Sequence, residues 1–202
     1  MTSSALRLWL LVAALLLRPV SAAAEWQFKP FVGITFGSSY TYLQLDQAEK
    51  DKKFTVGGSA TWLGNFIGVE GDFGHIPGYF QTDSVVSVLS SSVQTLTGNV
   101  VLTLPRKMTR YTLRPYFVGG GGLIRLGYTE QLGTLQVSRN LGAFDLGGGV
   151  TGFVNDRVGL NWDLRYYRSF GGPEGSGVSI GREEISFWRA AMGVAIRVGS
   201  VE

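Results

Sequence analysis

From about residue 26 to the end of the chain, apolar and polar residues alternate with a period of two. Residues 157–167 show it most clearly. Val158, Leu160, Trp162, Leu164 and Tyr166 fall on one face, and Arg157, Gly159, Asn161, Asp163, Arg165 and Tyr167 on the other. In residues 66–75, Ile67, Val69 and Phe73 oppose Glu70 and Asp72. In residues 54–63, Phe54, Val56, Ala60 and Trp62 oppose Thr55, Ser59 and Thr61. Near the C-terminus Trp188, Ala190, Met192, Val194, Ile196 and Val198 stand opposite Arg189, Ala191, Gly193, Ala195 and Arg197. A helix would scatter these polar residues around its circumference, whereas a strand gathers them on one side.

Eight such stretches are predicted as strands, roughly 26–37, 54–63, 66–75, 93–104, 112–127, 141–154, 157–168 and 185–199. In the fifth, Gly119 to Gly122 leave the facing ambiguous. The stretches exceed the usual strand of about five or six residues and suit tilted strands that cross a bilayer, which need about 9–11. The connections alternate as well. Gly64-Asn65 and Asn155-Asp156 read as two-residue hairpin turns, and residues 105–111, PRKMTRY, as another short link. Between them lie longer polar segments at 38–53, 76–92, 128–140 and 169–184. Short turns on one side and long loops on the other are what an up-and-down barrel with an even strand number requires.

Composition changes this picture little. The 202 residues include 29 Gly, one His and no Cys, which excludes disulfide scaffolds and thiolate metal sites and disfavours a multi-histidine centre. Residues 1–24 read as a cleaved secretory signal peptide: Arg7 is the basic region, Leu8 to Leu17 the apolar core, and Ser21 to Ala24 the small residues before a cut at Glu25. The apolar run is shorter than a spanning helix needs. Its removal takes Arg7 and Arg18 from the 18 Lys+Arg and nothing from the 15 Asp+Glu, leaving a net charge of +1. The high isoelectric point is then partly a property of the leader, and nucleic-acid binding loses its main support.

An eight-stranded sheet can close with its apolar face inward, as in a soluble lipocalin-type barrel, or outward, as in a membrane barrel. Alternation alone fits both. Strand length, turn asymmetry and aromatics near strand ends (Trp26, Phe28, Trp62, Phe66, Tyr111, Tyr116, Phe153, Phe187 and Trp188) favour the membrane form. Gly57-Gly58 and Gly147-Gly148-Gly149 would let strands curve tightly around a small lumen.

With these features the chain resembles the small Gram-negative outer-membrane barrels of the OmpA-like and OmpX-like superfamily. The resemblance rests on the leader, WQFKPFVGITFG (Trp26–Gly37), RPYFVGGGG (Arg114–Gly122), VGLNWDLRYYRSF (Val158–Phe170) and the amphipathic final strand. It implies an all-β, eight-stranded antiparallel up-and-down transmembrane β-barrel over residues 25–202, in the outer membrane. Family members serve as envelope scaffolds, adhesion or immune-evasion surfaces, narrow pores and, in a few cases, lipid A-modifying enzymes. Such barrels usually end in an aromatic residue that the assembly machinery reads, and this chain ends GSVE. No peptidoglycan-binding domain is expected.

The mid-strand charges Glu70, Asp72, Asp145, Asp163, Arg165, Arg189 and Arg197 are expected to face the lumen, as a salt-bridge plug or as a charged constriction in a pore. Eight strands leave room for little beyond side chains, which favours the plug. Gly147 to Gly152 match G-x-G-x-x-G, but Phe153-Val154 continue the strand, so the helix that a dinucleotide fingerprint needs is not expected. His75 invites comparison with the catalytic base of barrel-type deacylases, without a matching serine constellation; a loop-edge or interfacial histidine is expected. The charged loop residues Asp46, Glu49, Lys50, Asp51, Lys52 and Lys53, with Arg182, Glu183 and Glu184, suit a solvated surface or contact with lipopolysaccharide phosphates. SVVSVLSSSVQ, ending at Gln94, can extend a hairpin outward as strand and offer an edge to a partner. The expected role is structural or surface-interactive, without catalysis or cofactors. The expected partners are outer-membrane lipid and lipopolysaccharide, the barrel assembly machinery, and an extracellular partner through the long loops. A lipid A-modifying enzyme, a narrow pore and a soluble periplasmic lipocalin-like binder remain alternatives.

Overall fold

In the computed structural model the described residues are 25–40, 52–79, 88–104, 109, 113–130, 136–170 and 184–198. The leader, Tyr111, the terminal GSVE, and the loop charges apart from Lys52, Lys53 and Glu184 lie outside them.

The alternating stretches form eight strands: β1 (Glu25–Tyr40), β2 (Lys53–Leu63), β3 (Ile67–Pro77), β4 (Val88–Thr103), β5 (Leu113–Glu130), β6 (Gln136–Phe153), β7 (Val158–Ser169) and β8 (Ile185–Val198). Each pairs antiparallel with the next, and β8 pairs back onto β1, so the sheet closes into a barrel. The turn after β2 spans 64–66, where Gly64 N–H donates to the Ile67 carbonyl at 2.9 Å. The turn after β6 spans 154–157, where Asn155 Oδ1 accepts from the backbone N–H of Arg157 and Val158. Both are longer than the two-residue turns expected, because Phe66 in the first and Val154 and Arg157 in the second lie outside the strands. At the other end, β4 to β6 outrun their expected limits. Of the predicted third loop, residues 128–130 and 136–140 are strand, and Val88 to Gln94 of the Ser/Val-rich segment pair with β5.

The pairing registers give the stagger of the barrel. From Trp26, the cross-strand partners run Trp62, Val69, Val100, Gly119, Leu146, Tyr166 and Trp188, and the line returns to β1 at Phe36, ten residues along. A stagger of ten residues at ~3.3 Å each around eight strands ~4.8 Å apart tilts the strands by ~40°. Every residue on this line belongs to the outward face.

The outward face is apolar. Trp26, Trp62, Trp162 and Trp188 are 39–51% exposed, and Val69, Leu96, Phe117, Leu146 and Met192 between 53% and 73%. On β5 the outward apolar positions run from Leu113 to Leu123, a height of ~25 Å at this tilt, which matches the apolar band of an outer-membrane barrel. The inward face carries the ions. Among the described residues, five buried carboxylates (Glu25, Glu70, Asp72, Asp145, Asp163) and five buried cations (Lys29, Arg114, Arg165, Arg189, Arg197) balance. Three aromatics expected in the interfacial girdle face inward instead. Tyr116 and Phe187 are buried, and Phe153 lies under the Arg197 guanidinium at 3.8 Å. Proximity to a strand end does not set facing; the parity of the position does.

Candidate functional site

The lumen is layered. At the short-turn end, Glu25 on β1 pairs with Arg114 across the barrel and with Arg197 Nε on β8 at 2.7 Å. Gln27 donates to the same carboxylate, and Arg197 Nη1 to the Asp156 carbonyl at 2.9 Å. Arg197 thus faces the lumen but pairs with Glu25, not with Glu70, Asp72, Asp145 or Asp163, with which the sequence pattern grouped it. It lies at the barrel's end, too far along β8 to reach the central carboxylates.

The central layer is built around Arg165. Its Nε and Nη2 bond both oxygens of Asp163 at 2.7 and 3.0 Å. Its Nη1 reaches Glu70 at 2.7 Å, with Asp145 at 3.6 Å and Asp72 at 3.8 Å. Arg189 makes a two-pronged pair with Asp72 at 2.8 and 2.9 Å. Arg165 and Arg189 are direct cross-strand partners, a repulsive arrangement in isolation. Asp163 offsets it by lying against both, at 2.7 and 3.5 Å. Lys29, which the sequence pattern did not single out, stands 3.7 Å from Glu70 and 4.6 Å over the Tyr116 ring. Neutral groups take up remaining valences. Tyr116 donates to Asp163 at 2.9 Å, Tyr167 to Asp72 at 3.1 Å, and Thr61 to Glu70 at 3.0 Å. Burying an ion is tolerable only with such pairing and hydrogen bonding.

Above this layer, toward the loops, the lumen turns apolar. Ile76, Tyr79, Val93, Ile124, Ile185 and Phe187 form a buried cluster. Phe187 stacks on Tyr167 at 5.1 Å and meets Tyr79 edge-on at 5.9 Å.

The glycine triplet makes the central layer possible. A Cβ on Gly147 would stand 2.8 Å from Arg165 Cγ, and one on Gly149 2.6 Å from the Tyr116 hydroxyl. Both would also press on backbone of β7. The G-x-G-x-x-G match is thus a strand that yields its inward side-chain volume to an arginine and a tyrosine. We expect Gly147→Ala to destabilise the folded barrel by about 1–3 kcal/mol, the usual range for overpacking. Thermal unfolding followed on gels by the heat-modifiable band would read this.

His75 does not enter the lumen. It lies on the outward face of β3, between Val56 and Gln94, so no inward carboxylate or hydroxyl meets its ring. Among the described residues no cluster of three or more His, Cys, Asp or Glu has metal-binding geometry.

A closed eight-stranded barrel with lipophilic exterior and ionic interior narrows the family, and sequence comparison decides it: residues 10–183 match the family described as outer membrane protein beta-barrel domain. The chain belongs to this family. Among solved structures, Neisserial surface protein A superposes with a TM-score of 0.63 at 14% identity, over 86% of this chain and 97% of that one. Ail, the attachment invasion locus protein of Yersinia pestis, gives 0.51 at 12% identity, over 86% and 99%. These likenesses show the fold. No curated protein matches the sequence.

Proposed function

We propose that this barrel is a structural and surface-interaction protein of the Gram-negative outer membrane, closed along its axis by its own side chains and without catalysis. The observation that carries the reading is the cross-lumen pairing of Arg165 with Glu70 and of Arg189 with Asp72. These pairs join β3 to β7 and β8 across the interior, with the Ile76–Phe187 cluster stacked above them. A pore would need a continuous water-filled path along the axis. Here both signs are matched and the layer above is apolar. A deacylase-type centre would need a base beside a nucleophile, and His75 points the other way. Outer-membrane lipid with its lipopolysaccharide is the solvent of the outward face, the assembly machinery its partner in biogenesis, and the loop end the surface for an extracellular partner.

Planar-bilayer recording tests this directly. The purified barrel is expected to give no stepwise conductance. A stable open level in the unaltered protein would contradict the closed lumen. Unchanged lipid A mass spectra with and without the gene are expected in parallel.

A further inference from the structure

Four outward residues near the loop end stand in one line. His75, Gln94, Arg125 and Asn140 follow one another on β3, β4, β5 and β6 in direct cross-strand register. Their chain neighbours Ile76, Val93, Ile124 and Leu141 are buried in the lumen, so these four face away from it. Two residues nearer the membrane centre on the same strands, Phe73, Leu96 and Leu123 are 46–57% exposed. Because the barrel is staggered, the line climbs from His75, level with the top of the apolar band, to Asn140, a rise of ~10 Å. It therefore runs from the edge of the hydrocarbon through the depth of the headgroups.

All four side chains carry hydrogen-bond donors or, for histidine, a donor and an acceptor. None has a hydrogen-bond or ion-pair partner among the described residues. No carboxylate among the described side chains lies on the outward face of β3 to β6. Arg168, the outward arginine of β7, differs: Glu184 holds it at 3.1 Å. A cation at the hydrocarbon edge is stabilised by a counter-charge, and no described side chain supplies one to Arg125.

We infer that this line is a binding site for the phosphorylated headgroup of an outer-leaflet lipid. Arg125 pairs with the phosphate; Gln94, just below it, and Asn140, above it, donate to phosphate and sugar oxygens. The acyl chains lie on Phe73, Leu96 and Leu123. The site rests on the membrane reading of the barrel and names the lipid chemistry that the reading leaves open.

The test uses the full barrel in phosphatidylcholine nanodiscs doped with bis-phosphorylated lipid A or with its dephosphorylated form. Native mass spectrometry reads the lipid retained per barrel. Arg125→Gln is expected to lower retention of the phosphorylated form about tenfold, the loss of one charge-assisted contact. The unaltered barrel should hold the dephosphorylated form no better than that variant, and Arg168→Gln should retain lipid as the unaltered barrel does. Equal retention by Arg125→Gln and the unaltered barrel would overturn the site, as would an equal loss in Arg168→Gln. Band shifts on boiling separate the two readings. A heat-modifiable barrel with unselective lipid retention sinks only the site; a barrel that never shifts sinks the membrane placement.

Discussion

Replacing Arg165 by Met lowers the stability of the folded barrel by about 3–5 kcal/mol, the cost of leaving buried charge uncompensated. The size follows from the geometry. Arg165 is 2% exposed and bonds Glu70 and Asp163 directly, with Asp145 and Asp72 within 4 Å. Its removal leaves four carboxylates with only Lys29 and Arg189 among the central cations. The apolar Ile76–Phe187 layer lies above these carboxylates and the Glu25–Arg114–Arg197 layer below. The exposed Arg168 provides the control, because Arg168→Met removes a surface pair expected to be worth less than about 1 kcal/mol. Urea titration of barrels folded into lipid vesicles, followed by tryptophan emission, measures both. Equal midpoints for the two variants would contradict an interior built around Arg165. A paired change such as Arg165→Met with Glu70→Gln should recover part of the loss, because it removes a charge from each side.

A cation on the outer face has a cost that depends on depth. Met192 is 56% exposed near mid-height of the apolar band, and Ile67, equally exposed at 56%, is at its short-turn edge. In a membrane barrel Met192→Arg costs about 2–4 kcal/mol and Ile67→Arg about 0–1 kcal/mol. In a water-soluble barrel both positions would be ordinary surface, and both changes would stay within about 0.5 kcal/mol. The difference between the two variants, in the same vesicle titration, therefore separates lipid from water outside the strands without reference to the loops.

Much of this was legible in the alternation. The facing of β2, β3, β7 and β8 follows from Trp162 against Asp163, or Met192 against Arg189, because a one-residue slip would move every such pair to the wrong side. The polyglycine tract Gly119–Gly122 hid the facing of β5, and with it the outward Arg125. Period-two reasoning identifies which charges share the interior, but not their height, which comes from the stagger of ten residues. That stagger carries Arg197 to the short-turn end and Arg165 and Arg189 to the centre. Lys29 and Glu25 belong to the same interior parity as Lys29's neighbour Phe31. The opening strand is so rich in aromatics that the polar positions Glu25, Gln27 and Lys29 carry little weight in the pattern. Arg114 was hidden likewise, at the edge of a basic link. The ends of β4 to β6 were obscured because Ser, Gly and Thr there carry a weak apolar signal, although cross-strand pairing continues through them.

The four tryptophans after residue 24 all lie on the outer face: Trp26 and Trp62 near the short turns, Trp162 below mid-height and Trp188 near the top of the apolar band. The most direct measurement needs no mutation. Barrels reconstituted in vesicles are compared with and without brominated acyl chains, and separately with acrylamide in the aqueous phase. Strong quenching by bromine with little quenching by acrylamide is the predicted result. Free access of acrylamide, with emission indifferent to brominated lipid, would contradict it.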